Sequence, residues 1–488
     1  MLQGNIMFKE DEKNWIIDVR ERITGVPTSN CMTGSGYSGV TINRVPKFLL
    51  FLRKEAYTPR VVHLGLYHHL IAQPVSHTER LKAEATERMA RRLPEQEEHL
   101  HLDEAVARIV CEIRGCYEEQ SEYKDETVAT IFTLDGCFIL EILKVLGARQ
   151  QRQQQREEQH HPIFNSNRVK SCQFDVLSDF LMLENQIPLM VLIKLLEMEI
   201  GSEAEAKKEL LRLLCTSIIL VTHPFLPNWL NRPIEERLKG FEDLEKYQHI
   251  LGLFQSLAVE DPRDPEETGP NEPNKFRLAI QCFFLKLIIR HKRTSRHHQT
   301  LVACARDLQI AGMKFRNYYG VPSHGKMAFE RSTLLLSTIW ITDSTEVILR
   351  NLMALEVCQG FTVISYYAYL LNSLVESEAD AALLRRAEII QSSMGTDKEV
   401  AGMLNNLGKG INFDSSDDPF MNLKVEINQW YRSNLLVQIR EYKYKHPRLW
   451  SNMSILWGLV VLVSAVIPSL VSIWKTIWPH LFNSASKR

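Results

Sequence analysis

Four histidines near the N-terminus are the residues whose type and spacing could most readily perform chemistry. His63, His68, His69 and His77 offer imidazole nitrogens for metal binding or proton transfer. A zinc site ordinarily takes an HExxH helix motif or a Cys/His pair with a distant second pair, and these positions form neither. The spacing therefore predicts hydrogen bonding within a turn. It leaves open an enzyme of unknown class that uses Tyr67, His68 and His69.

Two aspartates could form an acid–base pair. Asp175 and Asp179 lie at positions i and i+4 of a predicted helix, and paired carboxylates can divide acid and base roles when their pKa values are separated. Asp175 falls in the first turn, where the helix dipole favours negative charge, so we interpret the pair as structural. The GxGxxG match at 34–39 lacks the preceding strand and following helix of a dinucleotide site.

No Ser/His/Asp order, phosphate-binding loop or kinase motif set can be assembled from the chain. We therefore predict a non-enzyme with no catalytic residue, no cofactor and no metal. The 488 residues carry a net charge of −1, which gives no overall attraction to nucleic acid. The nine cysteines are an odd number without a CxxC pair, which is typical of reduced thiols and not of a disulfide scaffold.

Most of the chain has the periodicity of amphipathic helices. In the stretch 104–120, Val106, Ile109, Val110 and Ile113 recur at three-to-four-residue spacing and share one helix face. The same pattern predicts helices at 77–93, 125–147, 172–184, 188–199, 205–221, 234–257, 276–292, 342–358, 362–377, 379–392, 396–410 and 417–446.

Strand signals are few. The stretch 61–64 is short and extended, and apolar pieces within 313–336 suggest a small hairpin. Two polar segments, near 148–162 and 258–275, cannot bury enough apolar surface to offset their ordering entropy and are predicted to be loops. The predicted fold class is mainly α: a large multi-helix globular body with minor short β-strands or a hairpin, plus one C-terminal transmembrane helix.

The transmembrane prediction comes from residues 453–474. This run contains no charged residue, and as a helix it measures roughly 33 Å, enough to cross a bilayer core of about 30 Å. The expected anchor positions are Trp457, Leu459, Leu462, Val466, Leu470 and Trp474.

The anchor determines the expected organisation and location. We divide the chain into a partly flexible leader (1–39), a helical domain (40–446), the anchor, and a short tail (475–488). The leader does not have the basic and apolar regions of a signal peptide. The basic residues flanking the anchor slightly favour a cytosolic N-terminal side. We therefore expect a single-pass protein with a cytosolic body at the plasma membrane or an endomembrane, and membrane lipid as one partner.

Several blocks together resemble a plant family, the domain-of-unknown-function 247 proteins. In chain order the blocks are 43–46, 57–59, 62–69, 134–141, 183–188, 311–315 and 349–356, and the resemblance covers roughly residues 40–478. The motif residues, which we expect to be structural, are Arg44, Pro46, Tyr67, His68, His69, Asp135, Gly136, Glu184, Asn185, Gln186 and Pro188.

The block 183–188 also has a physical interpretation of its own. Pro188 suits the first turn of the next helix, where its missing N–H costs nothing. The nearly continuous apolar run that follows predicts that this second helix is central. Asn185 and Gln186 are then expected to satisfy backbone groups at a buried helix junction. We interpret the block as an architectural joint and not as an active site.

The resemblance implies a function without established catalytic residues. Some members of the family are linked to pollen-side recognition in grass self-incompatibility and others to stress or defence. It implies a non-enzymatic, membrane-tethered recognition or signalling protein with an unidentified protein partner. Two alternatives stay open: the enzyme that uses Tyr67, His68 and His69, and an oligomeric membrane pore or channel. The pore requires a homo-oligomer, because one hydrophobic helix per chain cannot enclose a channel.

Overall fold

Helices make up most of the part of the chain that the structure describes. The computed structural model describes residues 41–69, 76–93, 102–119, 122–152, 173–219, 244, 247–259, 303–317, 328–330, 332–360, 363–407, 418, 420–434, 437, 461–464 and 466–474. The helices of its first half are α1 (Lys47–Leu52), α2 (Gly65–His69), α3 (Ser76–Ala90), α4 (Leu102–Ala107), α5 (Val110–Gly115), α6 (Asp125–Arg152), α7 (Gln173–Asp179), α8 (Leu189–Ile200) and α9 (Glu203–Leu214).

The second half adds helices and all five named strands. Its helices are α10 (Ile250–Val259), α11 (Ala305–Ile310), α12 (Thr345–Gln359), α13 (Val363–Leu374), α14 (Glu378–Arg386), α15 (Asp397–Leu407) and α16 (Met421–Ser433). The strands are β1 (Lys314–Asn317), β2 (Ala328–Glu330), β3 (Thr333–Leu336), β4 (Ile339–Ile341) and β5 (Ile390–Ser392). The mainly helical body with a few short strands agrees with the prediction.

Local sequence explains the tight corner between α8 and α9. Gly201 has a φ of +82°, a left-handed conformation that glycine adopts at little cost after a helix. The side chain of Ser202 then accepts a hydrogen bond from the Glu205 N–H at 3.5 Å and caps the start of α9. The two helices consequently turn back on each other and pack side by side.

One hydrophobic core connects both halves of the chain. Helix α6 is central to the first half and packs against α3, α4 and α8. Its side chains are buried around most of its circumference, as Phe132, Ile139 and Leu143 illustrate. In the second half, α13 packs against α12 and α15. Because their apolar residues belong to the same core, the two sets of helices share one interior.

The hairpin predicted within 313–336 is present, but it is formed by β2 and β3 and has β1 as a third strand. β2 pairs antiparallel with β3 across a short connection that contains Ser332, whose φ of +67° suits a tight hairpin turn. β1 joins the other side of β3 in parallel, so the strand order is β1-β3-β2. The apolar pieces of 313–336 therefore do not pair in simple succession.

The predicted helix at 379–392 is wrong in its second half. α14 ends at Arg386, and β5 pairs in parallel with β4. Glu388 has a left-handed φ of +58°, which stops the helix. The Ile389 carbonyl then accepts a hydrogen bond from the Ile339 N–H at 2.8 Å. Buried isoleucines at 389 and 390 suit a strand, since β-branched side chains pack well there.

Other boundaries also differ. The helix predicted at 104–120 is split into α4 and α5, and the one predicted at 172–184 ends at Asp179. The segment predicted as a loop from 148 begins as helix, because α6 continues to Arg152. Most of the loop near 258–275, the helix at 276–292 and the glycine-rich stretch 34–39 lie outside the described residues.

The predicted transmembrane helix at 453–474 is not found. Among the described residues, no helix is both long enough and apolar enough to cross a bilayer. Residues 461–464 and 466–474 are helical.

The structure describes only some of the expected anchor positions. Trp457 and Leu459 lie outside the described residues, whereas Leu462, Val466, Leu470 and Trp474 are helical and exposed. A single-pass C-terminal anchor is therefore not supported, and the location that we predicted from it is wrong. The pore alternative depended on the same helix.

Candidate functional site

Three of the family blocks, 134–141, 183–188 and 349–356, contact an N-terminal strap, which we define as residues 41–66. The strap contains α1 and a short 3₁₀ helix (Lys54–Ala56). Between them and α2, residues 61–64 are in neither a helix nor a strand of the described part of the chain. Buried backbone groups outside helices and sheets need side chains or water as partners. Polar side chains from distant helices provide those partners here.

Asp179 binds three consecutive backbone N–H groups of the strap. Its carboxylate accepts from Arg60, Val61 and Val62 at 3.0, 2.7 and 2.9 Å. Burial raises the pKa of Asp179 to about 6, although these hydrogen bonds act in the opposite direction. Asp175 instead accepts from the Arg60 guanidinium at the surface. The two aspartates predicted to share a helix face thus have separate structural tasks.

Asn185 connects the strap to the end of α7. Its Oδ1 accepts from the Leu64 N–H at 2.7 Å, and its Nδ2 donates to the carbonyls of Val62 and Asp179, both at 2.9 Å. Because Asn185 is fully buried, loss of these bonds would leave polar groups without water.

Gln186 likewise binds backbone groups, and it connects the segment after α7 with α10. Its Nε2 donates to the carbonyls of Phe180 and Met182, and its Oε1 accepts from the Leu251 N–H. Its own carbonyl accepts from the Tyr117 hydroxyl at 2.7 Å. Asn185 and Gln186 thereby satisfy backbone groups at a buried helix junction, as the sequence suggested.

A buried cation binds the other end of the strap. Lys82 is 0% exposed, and its ammonium lies 2.7 Å from both Glu79 and Asp135. It also donates to the His63 carbonyl at 2.6 Å. The second oxygen of Asp135 accepts from the Gly65 N–H at 2.8 Å. One lysine and one aspartate therefore connect α3, α6 and the strap.

Burial and neighbouring charges shift the pKa values of this cluster in opposite directions. Burial raises the pKa of Asp135 to about 6, and the Lys82 ammonium partly offsets the rise. For Lys82 burial lowers the pKa, but the two carboxylates facing it outweigh burial and raise it. Lys82 therefore keeps its charge, because two carboxylates compensate the desolvation of one ammonium.

Arg44, Tyr67 and Glu184 form a third connection. The Arg44 guanidinium lies 3.9 Å from the centre of the Tyr67 ring and 3.2 Å from Glu184, and it also pairs with Glu119 at 2.7 Å. The other Glu184 oxygen accepts from the Val45 N–H at 2.8 Å. This arrangement combines a cation–π contact with ion pairs at the start of the strap.

The block 349–356 also binds backbone. The Asn351 amide donates to the Ala56 carbonyl at 2.8 Å and accepts from the Leu183 N–H at 2.9 Å. Glu356 accepts from the N–H groups of Ile364 and Ser365 in the first turn of α13. Burial raises the pKa of Glu356 to about 7, although these bonds lower it.

The remaining motif residues have steric roles. At Gly136 an added Cβ would lie 2.5 Å from the Leu195 side chain, so glycine permits the close approach of α6 and α8. Pro46 precedes α1. Pro188 precedes α8 and does not occupy its first turn.

The histidines do not form a metal site with the acidic motif residues. His68 is buried, its Nε2 has no hydrogen-bond partner, and its ring centre lies 6.1 Å from that of His63. Burial lowers the pKa of His68 to about 4. The side chains of His69 and His77 lie outside the described part of the chain. In the ranges that the structure covers, no group of three or more metal-binding side chains occurs.

The strap also presents an exposed apolar surface. Phe48, Phe51 and Leu52 lie on α1 and are exposed, Phe51 to 90%. Lys47 and Lys54 at its two ends are exposed as well. We call these five residues the α1 surface. An exposed apolar cluster with a polar rim is typical of a binding surface.

Several residues of the network were not predicted as site residues. Lys82 looks like an ordinary helix-surface lysine in the sequence, and Asn351 like an interior helix residue. A weak signal did exist, because lysine and asparagine rarely point toward the core unless they are paired. The partners that connect them to distant elements, Asp135 for Lys82 and Ala56 for Asn351, are more than fifty residues away in the chain, so spacing alone cannot identify them.

Comparison with known proteins agrees with the blocks that carry the resemblance. A family model described as "Plant protein of unknown function", DUF247, matches residues 42–464. The chain is also similar to two UPF0481 proteins of Arabidopsis thaliana. It is 25% identical to one over 88% of this chain and 88% of that protein, and 24% identical to another over 91% and 88%. No solved structure matches the chain.

The family model covers most of the chain, and it includes the blocks 134–141, 183–188 and 349–356, whose side chains hold the strap. The predicted family is confirmed, whereas membrane anchoring is not supported. This protein belongs to the DUF247 family of plant proteins of unknown function.

Proposed function

We propose that the protein is a non-enzymatic recognition or signalling protein of plants that binds a protein partner through the α1 surface. The observation that carries the proposal is an exposed apolar helix whose two ends are fixed by the buried polar network. A segment that served only as a connection would gain nothing from exposing Phe51 to 90%, since exposed apolar area is unfavourable in water.

The flanks of α1 are held on both sides. Before α1, Glu184 binds the Val45 N–H. After α1, Arg53 pairs with Glu346 at 2.8 Å and Asn351 binds the Ala56 carbonyl. A surface already fixed in its binding conformation loses less conformational entropy on association.

The chemistry of the α1 surface favours one kind of partner. Phe48 and Phe51 are suited to be central anchors, because aromatic side chains bury much area at little entropic cost. The ammonium groups of Lys47 and Lys54 have no ion pair or hydrogen bond with other described residues. A complementary partner therefore has an apolar pocket with acidic residues at its rim.

The non-enzymatic part of the proposal is supported by the use of the carboxylates. Asp135 is bound to Lys82 and a backbone N–H, and Glu184 to Arg44 and a backbone N–H. Side chains engaged in this way hold the fold and do not face a substrate. Pollen-side self-incompatibility and stress or defence are two specific forms of the proposed role.

Proximity labelling in plant tissue tests the proposal. We expect Phe51→Asp to remove a defined group of labelled proteins, because a charge in the centre of the contact prevents its burial. Ile200→Asp is the matched control, since Ile200 is also an exposed apolar helix residue, 41% exposed at the end of α8. Identical labelling by wild type and Phe51→Asp, with equal protein levels, contradicts the role of the α1 surface.

One observation favours an enzyme as the second candidate function. The Nε2 of His68 is buried beside Tyr67 without a partner, and an unpaired imidazole can accept a proton from a substrate. Turnover of a plant metabolite mixture by the purified protein, abolished by His68→Phe, would replace the non-enzymatic proposal with this one.

A further inference from the structure

The outer edge of β1 has no strand beside it in the described part of the chain. The strand order is β1-β3-β2, so β1 pairs on one side only. An unpaired strand edge presents a row of N–H and C=O groups that another strand can bind. The four residues of β1 expose about 13 Å of such an edge at roughly 3.3 Å per residue.

The register of β1 with β3 shows which backbone groups point outward. Lys314 lies opposite Thr333, and its N–H donates toward β3, to the Ser332 carbonyl at 2.8 Å. Because backbone groups alternate sides along a strand, the N–H and C=O groups of Phe315 and Asn317 point away from β3. None of these outward groups is hydrogen-bonded to the described residues. The edge therefore offers two donors and two acceptors.

A groove lies beside this edge. Its volume is about 570 Å³, which is within the usual size range of ligand sites. It is lined by Phe315, Arg316 and Asn317 of β1, by Leu335 of β3, and by residues 386–388 at the end of α14. The edge of β1 thus borders a cavity that a short extended segment can enter.

Three cationic side chains near the edge are not used by the fold. Lys314 and Arg316 are two residues apart, so they share one face of β1, and both are exposed. Arg386 is exposed as well and lines the groove. None of the three side chains has an ion pair or hydrogen bond with the described residues, whereas the adjacent Arg385 pairs with Asp397 at 2.9 Å.

These charges indicate which kind of strand the edge accepts. Opposite charges that face each other across two strands are favourable, and like charges are unfavourable. A second copy of β1 would place Lys314 and Arg316 against the same cations, so it is a poor partner. A strand with acidic residues at alternate positions matches them. Glu388 also lines the groove, but it already has an interaction within the protein, and we assign it no part in binding.

We infer that the outer edge of β1 binds an extended acidic segment of another protein as an added strand, a common mode of peptide recognition. Its backbone bonds to Phe315 and Asn317, and its acidic side chains face Lys314, Arg316 and Arg386. The apolar residues between them lie beside Phe315, which is half-buried and packs against the core. The edge contains none of the α1-surface residues, so the inference does not depend on the proposed function.

Titration calorimetry of the purified full-length chain with synthetic peptides tests the inference. The probe is acetyl-Glu-Val-Glu-Val-Glu-amide, and acetyl-Lys-Val-Lys-Val-Lys-amide is the matched control with the opposite charge. We expect the acidic peptide to bind in a saturable manner and the basic one to bind at least roughly tenfold more weakly. The inference is overturned if the acidic peptide does not bind or if the two peptides bind equally.

Backbone methylation separates strand addition from attraction by charge alone. One acidic peptide carries N-methyl groups on its valines, and a second carries them on its glutamates. An added strand uses the N–H groups of alternate residues only, so one methylated peptide should bind roughly tenfold or more weakly while the other binds like the unmodified peptide. Loss with the methylated valines indicates antiparallel addition, and loss with the methylated glutamates indicates parallel addition. Undiminished binding of both methylated peptides overturns the inference.

A proline in β1 tests the edge from the side of the protein. Asn317→Pro removes an outward N–H and no bond to β3, and proline is tolerated at edge positions of this kind. The acidic peptide should bind this variant roughly three- to tenfold more weakly. Asn317→Ala keeps the N–H and should bind like wild type. Both variants should unfold near the wild-type temperature, which separates lost binding from lost folding.

A charge variant gives a result even if the proline variant does not fold. Arg386→Gln should weaken binding of the acidic peptide roughly two- to fivefold, as expected for an exposed ion pair. Arg385→Gln, the adjacent control, should leave the affinity unchanged. Wild-type affinity in Arg386→Gln, or equal losses in Arg386→Gln and Arg385→Gln, contradicts the assigned acidic partner.

Discussion

The N-terminal strap and the groove lined in part by Arg316, Asn317 and Arg386, which we call the arginine-lined groove, use polar side chains in opposite ways. Around the strap each motif carboxylate or amide has a backbone or cationic partner, as Asp179 has with three N–H groups. In the groove Arg316 and Arg386 have no partner among the described residues, and a buried acceptor of Asn317 is unsatisfied. The two regions nevertheless belong to one molecule with one core.

The difference indicates which polar groups build the fold and which are available for binding. A buried polar group that is fully paired contributes to a unique structure, and breaking the pair is costly. An unpaired charged group contributes little to stability and has its interactions ready for a ligand. Substitutions should therefore have large effects on stability at the strap and small ones at the groove.

The largest effect on the free energy of unfolding is expected at Lys82. Lys82→Met removes the cation between Glu79 and Asp135 and leaves two buried carboxylates facing each other. Breaking a buried pair in this way costs about 3–5 kcal/mol. Urea unfolding should show this loss, whereas Lys208→Met, at an exposed ion pair with Glu205, should lose at most about 1 kcal/mol. Equal losses in the two variants would show that the strap is not held by matched charges.

An effect of intermediate size on the free energy of unfolding is expected at His249, and it depends on pH. The Nε2 of His249 contacts the Thr41 carbonyl of the strap. Its Nδ1 accepts from the Gly252 N–H at 3.0 Å, which requires a neutral ring. Burial lowers the pKa of His249 from 6.5 to about 4. As pH falls below 6.5, the unfolded chain binds this proton first, so the stability that the neutral ring provides is lost toward pH 4.

His249→Gln measures this contribution. Between pH 6.5 and 4 the wild type should lose up to about 1.4 kcal/mol per pH unit relative to the variant. The comparison with the variant is needed because the raised pKa values of Asp135 and Asp179 act in the opposite direction. Parallel stability curves for the two proteins would contradict a neutral buried His249.

The smallest effect is expected in the groove. Arg386→Gln removes a charge that has no ion pair or hydrogen bond with the described residues, so the free energy of unfolding should change by no more than about 0.5 kcal/mol. Chemical denaturation of the ligand-free protein gives the value directly. A loss above about 2 kcal/mol would mean that the groove is built like the strap, and the contrast between the two regions would disappear.

The sequence predicted the role of the block 183–188, but it did not predict which backbone groups the block binds. The block 183–188 was expected to satisfy backbone groups, and Asn185 and Gln186 do so. The identity of those groups depends on contacts across the chain, such as Leu64 with Asn185. Helical periodicity describes one element at a time, so it contains no information about these pairings.

The two wrong predictions, at 453–474 and 387–392, also come from considering one segment at a time. The run 453–474 was interpreted from length and hydropathy alone, but no helix in the part of the chain that the structure describes is long and apolar enough to cross a bilayer. Residues 387–392 were predicted as helix because they continue an amphipathic pattern. The left-handed backbone at Glu388 and pairing with β4 decided otherwise, since tertiary contacts override local preference.

The strap also imposes an order on biosynthesis. The Ala56 carbonyl obtains its partner only when Asn351, 295 residues later, has left the ribosome. At about 5–20 residues per second this delay amounts to roughly 15–60 s. The apolar face of α1 is made early, while the groups that hold its flanks are made late. During synthesis α1 therefore exists long before Glu346 and Asn351 can fix the residues that follow it.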